Sequence, residues 1–120
     1  MRILLVEDDE CTQEVLTAFL KHLDSNIEVE VAANGDDALR RYHERSYHLV
    51  ITDNAHPGMF GIELIELILA KNPLQRIILQ TGNCGEHIEA FKQKHRAIPL
   101  LEKPYPLQQL QDMARTMLNQ

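Results

Sequence analysis

The sequence predicts an α/β fold: a doubly wound, five-stranded parallel sheet in the order 2-1-3-4-5, with helices on both faces. Three observations carry this. Apolar runs of strand length alternate along the whole chain with segments of helical spacing. The first, third and fourth runs are apolar almost throughout, as strands buried on both faces are. The second alternates apolar and acidic residues and the fifth contains a proline, which marks these two as edges. Right-handed crossovers between strands with those edges then give the order.

The first strand runs from Ile3 to Val6 and stops at Glu7-Asp8-Asp9-Glu10. Val15, Leu16, Phe19, Leu20 and Leu23 mark the first helix. In the second strand, Ile27 to Ala32, acidic Glu28 and Glu30 alternate with apolar neighbours, so one face must reach water. Asn34-Gly35-Asp36-Asp37 is a cap followed by first-turn acids, and Ala38, Leu39 and Tyr42 mark the helix it opens. The third strand spans His48 to Asp53, with the turn signal Pro57-Gly58 behind it. Ile62, Ile65, Leu67, Ile68 and Leu69 mark the third helix, which Asn72-Pro73 ends. The fourth strand covers Arg76 to Gln80, and Ile88 and Phe91 mark a weaker fourth helix. The fifth strand is Ile98 to Leu101, where Pro99 cannot donate to a central ladder. Pro106 suits the first turn of a last helix carried by Leu107, Leu110, Ala114, Met117 and Leu118.

Bulk properties narrow the function. The 120 residues make one domain, 1–120, and 44% hydrophobic content suffices for its core. No apolar run approaches the roughly 20 residues that span a bilayer. The opening apolar stretch ends at once in acids, so it reads as a strand rather than a signal peptide, and a cytoplasmic location is expected. A formal net charge of −6 argues against nucleic acid as a ligand of this domain. Cys11 and Cys84 have no metal or redox spacing and read as free thiols. The histidines lack ligand spacing such as H-E-x-x-H; His56 alone lies beside the predicted site, where a loop histidine is usually just exposed.

In the predicted order the first and third strands are neighbours, and the topology reverses between them. Ligands of such folds bind at the carboxyl ends of the strands at that reversal. Glu7-Asp8-Asp9 ends the first strand and Asp53 ends the third, so acids distant in sequence would share one crevice. Crowded carboxylates are relieved by a bound cation or a raised pKa. Oxygen ligands in a shallow site suit Mg2+, which keeps several waters and leaves room for phosphate oxygens. A carboxylate beside it can attack a phosphoryl donor. Gln80-Thr81-Gly82 brings a hydroxyl to the same rim, and Leu101-Glu102-Lys103-Pro104 brings an ammonium. Taken singly, Asp8 and Asp9 read as helix-capping acids, Thr81 as a turn residue and Lys103 as a solvated charge. Only their joint placement at strand ends points to chemistry.

Four motifs, Ile3-Leu4-Leu5-Val6-Glu7-Asp8, Asp53 through Gly61, Thr81-Gly82 and Lys103-Pro104-Tyr105, stand in this order along the whole chain. In them the sequence resembles the receiver domain of two-component response regulators. The resemblance implies that Asp53 accepts a phosphoryl group. It implies Mg2+ held by Asp8, Asp53 and the backbone carbonyl of Ala55, with Glu7 acting through a water. Thr81 would hydrogen-bond the phosphoryl group and Lys103 would pair with its charge, aimed by a cis peptide before Pro104. The donor would be a phosphohistidine on a sensor histidine kinase or phosphotransfer protein, or a small phosphodonor. An effector would read the face of the fourth helix, fifth strand and fifth helix, and a homodimer is one assembly open to such a domain. Such a domain is not an enzyme in the ordinary sense, since it catalyses only its own phosphorylation and dephosphorylation.

The chain departs from the family pattern in three places. Leu100 stands where relatives often have Tyr or Phe, so coupling between Thr81 and the output face is expected to run differently or be weaker. Gln13 stands where Arg is common. Asn54-Ala55-His56 is less apolar than the usual loop, and Ala55 and Asn83 lie where relatives tune dephosphorylation. Two other readings stay open. A Mg2+-dependent phosphatase or phosphotransferase of similar fold would usually carry a second acid two positions after the nucleophile, where this chain has Ala55. A degenerate receiver would bind partners without phosphorylation.

Overall fold

The computed structural model describes residues 1–54, 59, 61–82 and 86–119, with Glu86 and His87 by their backbone alone. Strand-length apolar runs and helical patterns fold as five β/α units: β1 (Arg2–Val6), α1 (Glu10–Lys21), β2 (Glu28–Ala32), α2 (Gly35–Glu44), β3 (Leu49–Asp53), α3 (Gly61–Lys71), β4 (Ile77–Thr81), α4 (Glu86–Lys94), β5 (Leu100–Glu102) and α5 (Leu107–Leu118). The strands pair in parallel in the order β2-β1-β3-β4-β5. The predicted fold class, strand order and edges therefore hold.

Alternation along each strand divides the core between the two faces of the sheet. Leu4, Val6, Val50, Ile77 and Leu79 pack with Ala38 and Tyr42 of α2, Leu64, Ile65 and Ile68 of α3, and Phe91 of α4. Ile3, Leu5, Leu49, Ile51 and Ile78 pack with Leu16 and Leu20 of α1 and with Leu110, Ala114 and Met117 of α5. β1, β3 and β4 are buried on both faces, and each fully buried Leu or Ile contributes roughly 1.5–3 kcal/mol. Register then decides where the strands end. Val6 lies opposite Thr52, Asp53 opposite Gln80, and Thr81 opposite Glu102, so the acidic, hydroxyl and lysine-bearing ends share one rim.

Local departures from the expected pattern have simple causes. β5 begins at Leu100 rather than Ile98. Ile98 N–H closes the turn out of α4 by donating to the His95 carbonyl, and Pro99 offers the sheet only its carbonyl, taken by Leu79 N–H at 3.1 Å. Pro106 precedes the last helix as its N-cap instead of entering the first turn, because its ψ of 137° is extended. Val15 and Leu67 lie off the buried stripes of their helices and stay about half exposed.

The acidic face of β2 does not simply reach water. Glu28 is exposed, but the Glu30 side chain is only 18% exposed. Arg2 Nε and Arg45 Nη1 each approach a Glu30 oxygen at 3.2 Å, Arg41 Nη1 lies at 3.6 Å, and the Tyr47 hydroxyl donates to it at 3.1 Å. Burial, reinforced by Glu30, pushes the Tyr47 phenol up to about 12. Glu30 is thus the counter-charge that lets three guanidinium groups converge over an edge strand, and it accepts hydrogen bonds from Arg45 and Tyr47. Glu30→Leu, which strands the Tyr47 and Arg45 donors and removes the counter-charge of Arg2 and Arg41, is expected to lower unfolding free energy by about 1–3 kcal/mol. Glu28→Leu should stay within about 0.5 kcal/mol of wild type. Urea denaturation of both variants tests this, and equal midpoints would refute it.

Candidate functional site

The site starts where β1 stops. Glu7 continues the ladder by donating its N–H to Ala32 O at 3.0 Å, and the chain then turns into α1. The acids after β1 divide the work. Asp9 caps α1, accepting from Thr12 N at 2.8 Å and Thr12 Oγ1 at 2.7 Å, and these bonds hold its carboxyl below the usual carboxylate range. Asp9 is therefore committed to the helix, while Glu7 and Asp8 turn towards β3. Gln13 reaches back from α1 and donates its side-chain amide to the Glu7 carbonyl at 2.6 Å, tying the loop to the helix behind it.

Glu7, Asp8 and Asp53 each offer one carboxylate oxygen, and the three oxygens lie within 4.8 Å of one another. Asp8 is exposed, whereas Glu7 and Asp53 are buried. Glu7 Oε2 accepts a long bond from Asp9 N–H, 3.3 Å. Glu7 Oε1 has no hydrogen-bond partner among the described residues. Burial pushes the Glu7 carboxyl up, and the Asp8 and Asp53 carboxyls add to this, against the pull of Asp9 N–H and Lys103.

Asp53 is the last residue of β3, and the next residue makes the turn. Asn54 N–H donates to Gln80 O at 2.9 Å, its carbonyl accepts from Gly61 N–H at 3.0 Å, and its side-chain oxygen accepts from Ile62 N–H at 3.2 Å. Asn54 thus anchors the N-terminus of α3 directly against the Asp53 strand end. Lys103 arrives from the far edge. Its N–H donates to the Thr81 carbonyl at 2.8 Å, and its Nζ reaches Asp53 Oδ2 at 2.5 Å and Glu7 Oε1 at 3.8 Å. The Lys103–Pro104 peptide is cis, as the resemblance implies. Thr81 is buried beside this strand end. Leu100 lies opposite Leu79 and packs against the core that contains Phe91 of α4.

The fold thus brings Glu7, Asp8, Asp53, Thr81 and Lys103 to one rim. Ala55, His56 and Asn83 lie outside the described residues, as does Cys84; Cys11 is an exposed free thiol. Among the described residues, three carboxylates face one ammonium here, and one buried carboxylate oxygen has no hydrogen-bond partner. Such an all-oxygen, electron-rich donor set fits a hard divalent cation. Two contacts escaped sequence reasoning. One is the Gln13 brace. The other joins the Tyr105 hydroxyl to Gln80 Oε1 at 2.6 Å, and its only sequence signal is an amide inside an otherwise apolar strand.

Comparison with known proteins agrees with this fold. The family profile described as the response regulator receiver domain matches residues 3–115. The regulatory protein VanRB of Enterococcus faecalis is 32% identical over 119 residues, 98% of this chain. The chain spans 52% of that relative's length. A CheY-like receiver domain protein from Methanospirillum hungatei superposes with a TM-score of 0.88 at 26% identity, covering 98% of this chain and 93% of that one. Response regulator TrrA of Thermotoga maritima, solved in complex with Mg2+ and BeF, superposes with a TM-score of 0.82 at 28% identity, covering 97% of each chain.

Proposed function

The chain belongs to the response regulator receiver domain family, and we propose that it is a phosphorylation-controlled switch whose phosphoacceptor is Asp53. The observation that carries this reading is the meeting of Asp53 with Lys103, Glu7 and Asp8 at the ends of strands far apart in sequence. A buried, strand-fixed carboxylate is held in place for attack, and an ammonium already lies on one of its oxygens.

In the proposed reaction an Asp53 oxygen attacks the phosphorus of a phosphohistidine donor. A P–O bond forms to Asp53 while the P–N bond breaks, and the departing imidazole keeps the bonding electron pair and takes up a proton. Lys103 then pairs with the phosphoryl oxygens, and the Thr81 hydroxyl donates to one of them. Asp8, Asp53 and the Ala55 carbonyl would hold Mg2+, with Glu7 acting through a water. Bound there, Mg2+ supplies the positive charge that offsets the crowded carboxylates and the phosphoryl oxygens. The complex described for the similar TrrA supports that choice of ion.

The donor is a sensor histidine kinase or phosphotransfer protein, and the output is a change in effector binding at α4, β5 and α5. On this reading the domain turns over no separate substrate and is not an enzyme beyond its own phosphorylation and dephosphorylation. It acts in the cytoplasm; among the described residues no helix is long and apolar enough to cross a membrane.

Incubation with Mg2+ and acetyl phosphate, followed by intact-mass measurement, tests the reading. The wild-type chain should gain one phosphoryl group, a chelator should prevent the gain, and Asp53→Ala should abolish it. A wild-type chain that never gains this mass, from any small donor or cognate kinase, would overturn the proposal.

A further inference from the structure

Gln80 is out of place by every local rule. It sits in β4 among Ile77, Ile78 and Leu79, with its side chain fully buried. A buried amide costs about 1–3 kcal/mol unless its hydrogen bonds are made. This one is only half satisfied. Its oxygen accepts from the Tyr105 hydroxyl at 2.6 Å, and its Nε2 has no partner among the described residues. A leucine would serve the core better, so stability does not explain the residue. Its position suggests what does. Gln80 lies directly opposite Asp53 in the sheet, and its carbonyl holds the N–H of Asn54.

We propose that Gln80 and Tyr105 form a polar latch that positions Lys103 against Asp53. The last two residues of β4 each hold one end of the short segment that carries the lysine. Thr81 holds the front, through its carbonyl and Lys103 N–H at 2.8 Å. Gln80 holds the back, through its amide and the Tyr105 hydroxyl. Between the two ties the Lys103 side chain is directed to Asp53 Oδ2 and Glu7 Oε1. Tyr105 also packs against the core that contains Leu110 and Ala114, so the latch fixes the entry to α5 as well. Its phenol feels the site: burial, then the charges of Glu7 and Asp53, push it up to about 12. It therefore remains a neutral hydrogen-bond donor throughout the physiological range. Gln80 and Tyr105 are positioning residues and touch no reacting atom.

The latch rests on Asp53 as phosphoacceptor for its consequence, but not for its geometry, and two measurements separate these. The first compares wild type, Gln80→Leu, Tyr105→Phe and the double variant in phosphorylation by acetyl phosphate at saturating Mg2+. Misplacing a reacting group by about 1 Å can slow a reaction about 100-fold, and a latch at one remove should matter about tenfold. Each single variant should lose about that factor, the double variant should lose no more, and Mg2+ affinity should not change. The second follows the Lys103 ε-methylene NMR resonance in metal-free, unphosphorylated protein. It should move towards the free-lysine position in both single variants. If the rates and the Lys103 resonance match wild type, the latch is wrong. A parallel fall in Mg2+ affinity and rate would also overturn it, because general loosening of the site would then suffice. If the wild-type chain takes no phosphoryl group, the proposed function fails, and the Lys103 resonance alone decides the latch.

Discussion

Gly61→Ala is expected to lower the unfolding free energy by about 2–3 kcal/mol and to disable the Asp53 site at the same time. At the first position of a helix, alanine usually stabilises relative to glycine. Here the sign reverses for a steric reason. A Cβ on Gly61 would lie 2.5 Å from the Asp53 carbonyl oxygen, 2.8 Å from Asn54 Cα and 3.1 Å from the Asp53 carbonyl carbon. All three are backbone atoms at the end of a central strand, where Asn54 is hydrogen-bonded to β4. No flexible side chain can move aside, so either α3 lifts from the sheet or Asp53 shifts. Gly82→Ala is the control, because no described residue lies within 4 Å of its added Cβ, and its cost should stay within about 0.5 kcal/mol. Urea denaturation and the acetyl phosphate assay read the two effects. A Gly61→Ala protein as stable and as reactive as wild type would contradict the close approach.

Metal binding should produce the other large effect. Mg2+ at about 100 times its dissociation constant should stabilise the fold by about 2.7 kcal/mol, or roughly 10 °C in melting temperature. Glu7 is buried beside two carboxylate neighbours, and one of its oxygens has no hydrogen-bond partner among the described residues. The folded state raises the pKa of Glu7. The sign comes from linkage: a raised carboxyl contributes stability below its ordinary value of 4.5, and that contribution is lost as pH rises through the folded value. At neutral pH without metal, Glu7→Gln should therefore be more stable than wild type, by about 1 kcal/mol or more. The advantage should shrink as pH falls through the folded value towards 4.5 and level off below it. Glu7→Gln and Asp8→Asn should both lose most of the Mg2+-induced rise in melting temperature. Thermal melts across pH, with and without Mg2+, would expose the error if neither variant differed from wild type.

Much of this was legible in the chain. The apolar runs of β1, β3 and β4 announce strands buried on both faces. The polar residues at their carboxyl ends, Glu7-Asp8, Asp53 and Thr81, must then lie at one edge of the sheet. The alternation of β2 and Pro99 in the fifth strand marked the edges. Less legible were contacts that join residues from several elements. Glu30 looked solvated because its own strand alternates, yet Arg2, Arg41, Arg45 and Tyr47 cover it from β1, α2 and the segment after α2. Residue chemistry alone did not separate the neighbouring acids Asp8 and Asp9; only the family resemblance singled out Asp8. One caps α1 and the other faces Asp53, because the turn out of β1 sends consecutive side chains in different directions.

By itself, then, the sequence determined the fold class, the strand order and the set of residues delivered to the strand ends. These depend on periodicity and punctuation, which are local properties of the chain. Only the tertiary structure decided which of those groups touch: Lys103 on Asp53, Glu7 left with an orphaned oxygen, Gln13 bracing the Glu7 carbonyl, and Gln80 holding Tyr105. Each joins separate elements, and Lys103 and Asp53 are 50 positions apart. Their meeting depends on sheet register and side-chain direction, which no local pattern encodes.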